Sequence, residues 1–251
     1  TGPLTAIWFA LFAVPLFLYC PDAPRRKGLT RAARDGVRTL GRTLRALPST
    51  GALFTYLIAS MIYRDGLAGL FAFGGIYAAG VLGWGITQLG IFGIIAAAVG
   101  ALGAWVGGRA DRAFGPRPVI AAAIILLIGV SLVALTTSRE AVLGMPVSRE
   151  SGLPDLIFMI CGGLMGAGSG ALQAASRTLL VHLADGRMPM TEAFGLYALS
   201  GKATAFLAPL LIGLATQMSG NQALGVSPVI ALFAIGLIML HWAKPDEEAR
   251  A

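Results

Sequence analysis

The sequence predicts an all-α membrane protein of about seven transmembrane helices. Three observations predict it. Hydrophobic residues make up 56% of the 251 and charged residues only 12%, against roughly 25% charged in soluble domains. The apolar residues gather in stretches long enough to cross a hydrocarbon core of about 30 Å. Arginines gather in alternate connections between those stretches, as the positive-inside rule requires of a multispan chain.

In order, the apolar stretches run over Leu4–Tyr19, Ala52–Ala79, Ile86–Val106, Val119–Thr137, Leu156–Leu183, Ala193–Met218 and Leu224–Trp242. At about 1.5 Å per residue most can span a bilayer, and the longer ones tilt or extend past the interface. The first has no charged lead-in and no small-residue cleavage site after it, which argues against a signal peptide. No initiator methionine precedes it, so the expectation is that Thr1 is a cut into a longer chain.

The connections after spans one, three and five, together with the tail, hold Arg25, Arg26, Lys27, Arg31, Arg34, Arg38, Arg42, Arg45, Arg109, Arg112, Arg117, Arg177, Arg187, Lys244 and Arg250. The opposite side holds Arg139 and Arg149. The first group is therefore expected in the cytoplasm, with the C-terminus, and the net charge of +7 reflects topology rather than nucleic-acid binding. Cys20 and Cys161 lie near or within apolar spans and offer no disulfide or metal spacing.

The connection from residue 25 to residue 50 has a pattern of its own. Arg31, Arg34, Arg38, Arg42 and Arg45 recur at steps of three and four, and so do Val37, Leu40, Leu44 and Leu47. That spacing predicts a helix with one basic and one apolar face, closed by Pro48 and suited to the anionic inner leaflet. Gly36 and Gly41 weaken it, and a solvated basic linker is the alternative.

Glycine, 34 residues in all, clusters inside the spans, in FGGIYAAGVLGWG, VGALGAWVGG and CGGLMGAGSGAL. In lipid, small residues let helix backbones approach closely, so these clusters mark helix contacts. Gly166, Gly168 and Gly170 follow no strand and precede no GK[ST], which excludes a nucleotide loop. Neither HExxH nor G-x-S-x-G occurs, and His182 and His241 fall at predicted helix ends. The expectation is a protein that is not an enzyme and needs no cofactor or metal.

Between spans three and four stands GGRADRAFGPRP. Its Gly107, Asp111, Arg112, Gly115 and Arg117 resemble the cytoplasmic loop signature of the major facilitator superfamily, G-x-x-x-D-R-x-G-R-R. The resemblance implies a cytoplasmic gate loop, from which this sequence departs by one extra residue between Arg112 and Gly115 and by Pro116 and Pro118, which interrupt the basic pair. The stretches YRDGLAGLFAFGGIYAAGVLGW, LQAASRTLL and AFGLYALSGKATAFLAPLLIG, in spans two, five and six, resemble the vacuole-effluxer-like (autophagy-related permease) branch. The resemblance implies a twelve-helix secondary transporter working by alternating access. Residues 1–20 would be the last helix of an N-terminal half, 21–49 the basic central loop, 50–243 the six-helix C-terminal bundle and 244–251 a cytoplasmic tail. It implies as partners a missing N-terminal six-helix half, membrane lipids and a small-molecule substrate, with amino-acid efflux the fungal function. Three lysines against sixteen arginines suit a GC-rich bacterial source, hence a bacterial cytoplasmic (inner) membrane.

Arg64 and Asp65 stand about twelve residues, about 18 Å, into span two. Each charge there costs about 2.5 to 3.5 kcal/mol on insertion scales, sustained only by a partner or a water-filled cavity. Neighbours on a helix point about 100° apart, so the two cannot form an ideal pair with each other. Lys202, about nine residues into span six, is the expected partner. Arg64 and Lys202 would hold an anionic group of the substrate, and Asp65 would couple transport to protons. Tyr63 and Gln173 would add neutral hydrogen bonds at the site, with Tyr77 and Thr204 as further candidates and Arg177 near the inner surface. Gly66 and Gly69 would let the helix loosen around the site. Two other readings stand beside this one: a charge cluster that only orders the bundle, and an accessory subunit built on a half-transporter scaffold.

Overall fold

A chain in hydrocarbon must satisfy its backbone hydrogen bonds internally, and a helix does so within one segment. The computed structural model describes residues 2–20, 28–148 and 150–243, and every long apolar stretch among them is helical. Arg25, Arg26, Lys27, Arg149, Lys244 and Arg250, with the tail they imply, lie outside the described residues.

The chain divides into two units, residues 1–46 and 47–251. In the first, α1 (Gly2–Tyr19) exposes apolar side chains along its whole length, as a span facing lipid would. The predicted amphipathic helix is present as α2 (Leu29–Ala46). Pro48 falls in the 3-10 turn Leu47–Thr50 of the second unit.

The second unit holds α3 (Ala52–Val81), α4 (Ile86–Phe114), α5 (Pro116–Leu135), α6 (Leu153–Ala184), α7 (Met190–Ala203), α8 (Leu207–Ser219), a short α9 (Gln222–Gly225) and α10 (Ser227–Trp242). Between α5 and α6 a small hairpin pairs β1 (Ala141–Val142) with β2 (Met145–Pro146). Its two turn residues, Leu143 (φ 52°) and Gly144 (φ 78°), have the positive φ of a tight hairpin turn. Counting α7 and α8 as one, six spans are long and apolar enough to cross a membrane, and α10 is a shorter apolar helix. This is the all-α membrane protein that the composition predicts.

Packing follows the small residues. A Cβ on Gly103, Gly166 or Gly170 would run into backbone of the facing helix, and one on Gly107 would lie 2.7 Å from the Cα of Ala171. Ala96 faces Gly166 and Gly107 faces Ala171, so α4 and α6 run parallel and in backbone contact. In the same way Gly66 meets Leu232 and Phe233, Gly69 meets Val229, and Gly236 meets Tyr63, so α3 and α10 run antiparallel. Buried hydroxyls in this core return to their own helix, Ser60 to the Leu57 carbonyl (2.8 Å), Ser131 to Leu127 (2.7 Å) and Ser176 to Leu172 (2.6 Å).

Three expectations change here. Gly66 and Gly69 do not loosen α3, which is unbroken over thirty residues; they are the places where α10 and α8 come close. Span six is not one helix. Pro209 lacks the N–H that would bond the Ala205 carbonyl, and its ring crowds that carbonyl, so the chain turns at residues 204–206 and restarts as α8. The signature between spans three and four is not a loop. Gly107, Asp111 and Arg112 lie in α4, a single Gly115 (φ 82°) makes the connection, and Pro116 opens α5.

Candidate functional site

Tyr63, Arg64 and Asp65 are consecutive on α3, so they point in three directions, and each meets a different neighbour. Tyr63 goes into the core. It is fully buried, its hydroxyl lies 2.8 Å from Ser176 Oγ on α6, and Tyr56 donates to the Ser176 carbonyl at 2.5 Å. Tyr63 thus backs the site rather than lining it, and Tyr77, which donates to the Thr137 carbonyl at 2.9 Å, is likewise buried.

Arg64 turns toward α7. Its Nη1 donates to the Tyr197 carbonyl at 2.7 Å, and the guanidinium lies 4.2 Å from the centre of the Tyr197 ring. Both contacts stabilise a half-buried cation, one by a charge-assisted hydrogen bond and one through the ring quadrupole. Gly201, one turn on, leaves the space for it, since a Cβ there would lie 2.5 Å from Arg64 Cζ. Gly201→Val is therefore expected to push the guanidinium off α7 at an overpacking cost of about 1–3 kcal/mol. Thermal unfolding of the purified full-length protein reads this; Gly195→Val, at an open position of the same helix, serves as the control and should change little.

Asp65 turns toward the break. It is 2% exposed, and its Oδ2 has no hydrogen-bond partner among the described residues. The carboxyl faces the Thr204 side chain. Thr204 caps α7, and Ala208 in the first turn of α8 meets Gly69 one turn above Asp65. The carboxyl therefore sits between the C-terminal end of one half-helix and the N-terminal end of the next, where broken helices place ion and substrate groups.

Lys202 is not the partner expected of it. It is exposed in the last turn of α7, and no ion pair joins it to Asp65 or joins Arg64 to Asp65 among the described residues. Lys202 follows Gly201, so it points about 100° away from the residue that meets Arg64. Both cations nonetheless gather at the C-terminal, partly negative end of α7.

Gln173 lies on α6, where its Nε2 donates to Ser169 Oγ at 3.0 Å. It lines an open groove of about 530 Å³ with Phe71, Gly75, Phe92, Gly100 and Gly170. Arg64, Phe71 and Gly75 recur at steps of seven and four on α3, so Arg64 shares the groove's helix face about 10 Å from Phe71. Arg177, one turn beyond Gln173 on α6, is exposed.

The signature residues serve packing and capping. Gly107 brings α4 onto α6. Asp111 is buried with Oδ1 unpartnered among the described residues, while Arg112 is exposed. Arg117 reaches α10, its Nη2 donating to the carbonyls of Leu240 (3.0 Å) and His241 (2.9 Å), which occupies acceptors that a helix end leaves open.

Two groups were not foreseen in the sequence. Tyr197 and Gly201 hold Arg64, as above. At the other end of the bundle Asp155 accepts from Trp84 Nε1 (2.5 Å) and Arg139 Nη1 (2.7 Å), and Arg139 Nε donates to the Leu82 carbonyl (2.7 Å). With Trp84 edge-on to Phe92 and Phe158, this cluster ties together the ends of α3, α5 and α6.

Comparison with known proteins agrees with the three stretches singled out in the sequence. A family model described as vacuole effluxer Atg22 like matches residues 3–251. A protein named uncharacterized MFS-type transporter YxiO, from Bacillus subtilis (strain 168), is 26% identical over 244 residues, which cover 97% of this chain and 53% of that protein. Autophagy-related protein 22 from Coccidioides immitis (strain RS) is 25% identical over 257 residues, 94% of this chain and 40% of the relative. The chain spans about half the length of the curated relatives it matches. Matched over nearly all its residues, this integral membrane protein belongs to the vacuole effluxer Atg22-like family.

Proposed function

We propose that the chain forms the substrate-binding portion of a secondary active transporter, an efflux permease that moves a small polar solute such as an amino acid by alternating access. The observation that carries this reading is the meeting of Arg64 and Asp65 on α3 with the ends of a broken helix. A bundle stabilised only by packing has little use for a buried carboxyl with an unpartnered oxygen, and intramembrane charges mark solute and proton pathways. In this reading Arg64 and Lys202 receive an anionic group such as a carboxylate, Gln173 bonds a neutral group, and Asp65 carries the coupled proton. The names of the relatives, a transporter of the major facilitator type and an autophagy-related protein, support the class. The distribution of arginines supports a bacterial cytoplasmic membrane with the basic connections and C-terminus inside.

Transport of labelled amino acids by the full-length protein in proteoliposomes tests the reading. Lys202→Ala is expected to raise the apparent substrate constant about tenfold, or about 1.4 kcal/mol. An unchanged constant would remove Lys202 from the site, and the absence of exchange for every amino acid offered would overturn the substrate class.

A further inference from the structure

The helix α2 (Leu29–Ala46) belongs to the first unit, and its surface is divided into three sectors rather than two. At about 100° per residue, Val37, Leu40 and Leu44 fall within an arc of about 60°. Arg34, Arg38, Arg42 and Arg45 fall within an arc of about 80° whose centre lies about 130° round from the first. Between them on the near side lie Gly41 and, in the first turn, Thr30. On the far side a third sector holds Asp35, next to the arginine row, and then Ala46, Thr39, Ala32, Thr43 and Gly36.

The apolar sector is open: Val37 is 73% exposed, Leu40 41% and Leu44 44%. The four arginines are exposed as well. Two glycines lie inside the helix, each less favourable there than alanine, and helices of this length are marginal in water. A stripe of this kind needs an apolar phase to rest on.

From this arrangement we infer that α2 docks lengthwise on an anionic phospholipid surface, with Val37, Leu40 and Leu44 among the acyl chains, the arginine row at phosphate depth along one flank, and Thr39 and Thr43 in water. Charge complementarity selects anionic headgroups, because all four arginines lie on the same side of the stripe and so reach one plane of phosphates. The size of the stripe selects lipid over protein. Three aliphatic side chains cannot supply the roughly 800 Å² per partner of a stable protein interface, whereas they suffice for an interfacial helix. Connectivity agrees: residues 20–28 and 47–51 join α2 to the apolar helices α1 and α3, so a bilayer surface is the nearest apolar phase.

The inference stands apart from the transport reading and is tested without measuring transport. Single cysteines are introduced by Val37→Cys, Leu44→Cys or Thr39→Cys in the full-length protein, with Cys20 and any other reactive cysteine replaced. Each is labelled with a small fluorophore and reconstituted in phosphatidylcholine nanodiscs with and without phosphatidylglycerol. Nitroxide-bearing lipid should quench labels at 37 and 44 but not at 39 when phosphatidylglycerol is present. Raising the salt concentration, or replacing the four arginines by glutamine, should abolish that contrast. Equal quenching at all three positions would overturn the orientation. A contrast that persists without phosphatidylglycerol and without the arginines would overturn the anionic preference. Intact elution of each variant on gel filtration separates loss of docking from loss of folding.

Discussion

Asp65→Asn is expected to leave solute exchange across proteoliposome membranes running while gradient-driven accumulation disappears. The carboxyl is 2% exposed and lacks both an ion pair and a partner for Oδ2 among the described residues. Carrying it as an anion at the bilayer centre costs about 2.5 to 3.5 kcal/mol on insertion scales. A proton removes that cost, and asparagine imitates the protonated form in size and charge. A permanently neutral group can complete the conformational cycle with solute bound but cannot carry a proton one way and return without it. A pH difference of one unit is worth about 1.4 kcal/mol per proton, enough for about tenfold accumulation at one proton per solute. The variant should bring that ratio to one at an unchanged exchange rate. Normal accumulation by Asp65→Asn would sink the coupling role, and loss of exchange together with accumulation, in protein that still elutes intact, would make Asp65 a structural group.

The two charges were legible in the sequence because nothing else in span two is ionised, and because insertion energetics leave few reasons to keep a charge there. Their surroundings were not. Arg64 is held by the carbonyl of Tyr197, a group every residue possesses, and by the absence of a side chain at Gly201, which matters only once α7 lies against α3. Lys202 stood out as the matching charge, but its helical phase turns it away from the Arg64 contact. Phase also separates Tyr63 from its neighbour: residues side by side on a helix point about 100° apart, and the one fully enclosed is the tyrosine. The break in span six did carry a signal, since Pro209 lies well inside the apolar run; hydropathy alone reads through it because proline interrupts hydrogen bonding without adding charge. By contrast α2 was readable from its two interleaved periodicities, which depend on no partner.

Gly166→Leu is expected to destabilise the second unit strongly, and Gly129→Leu almost not at all. Within a bilayer, lipid tails are as apolar as leucine, so helices gain nothing from mere burial and associate through close van der Waals contact. Between α4 and α6 that contact is backbone to backbone: a Cβ on Gly166 would run into the Ala96 carbonyl, and one on Gly170 into that of Gly100. Backbone in a helix cannot step aside as a side chain can, so a leucine must part the two helices along their length. Overpacking of side chains costs about 1–3 kcal/mol, and a clash with backbone on both sides belongs at the upper end, about 3 kcal/mol. The groove that Gln173 lines has Gly100, Gly166 and Gly170 in its wall, so parting α4 from α6 would also deform that groove. Gly129 on α5 has nothing within 4 Å of its Cβ position, and a leucine there meets lipid. Gel filtration and thermal unfolding of the two variants in one detergent distinguish the cases. If Gly166→Leu unfolded at the same temperature as Gly129→Leu, close approach of α4 and α6 would not be what holds the bundle together.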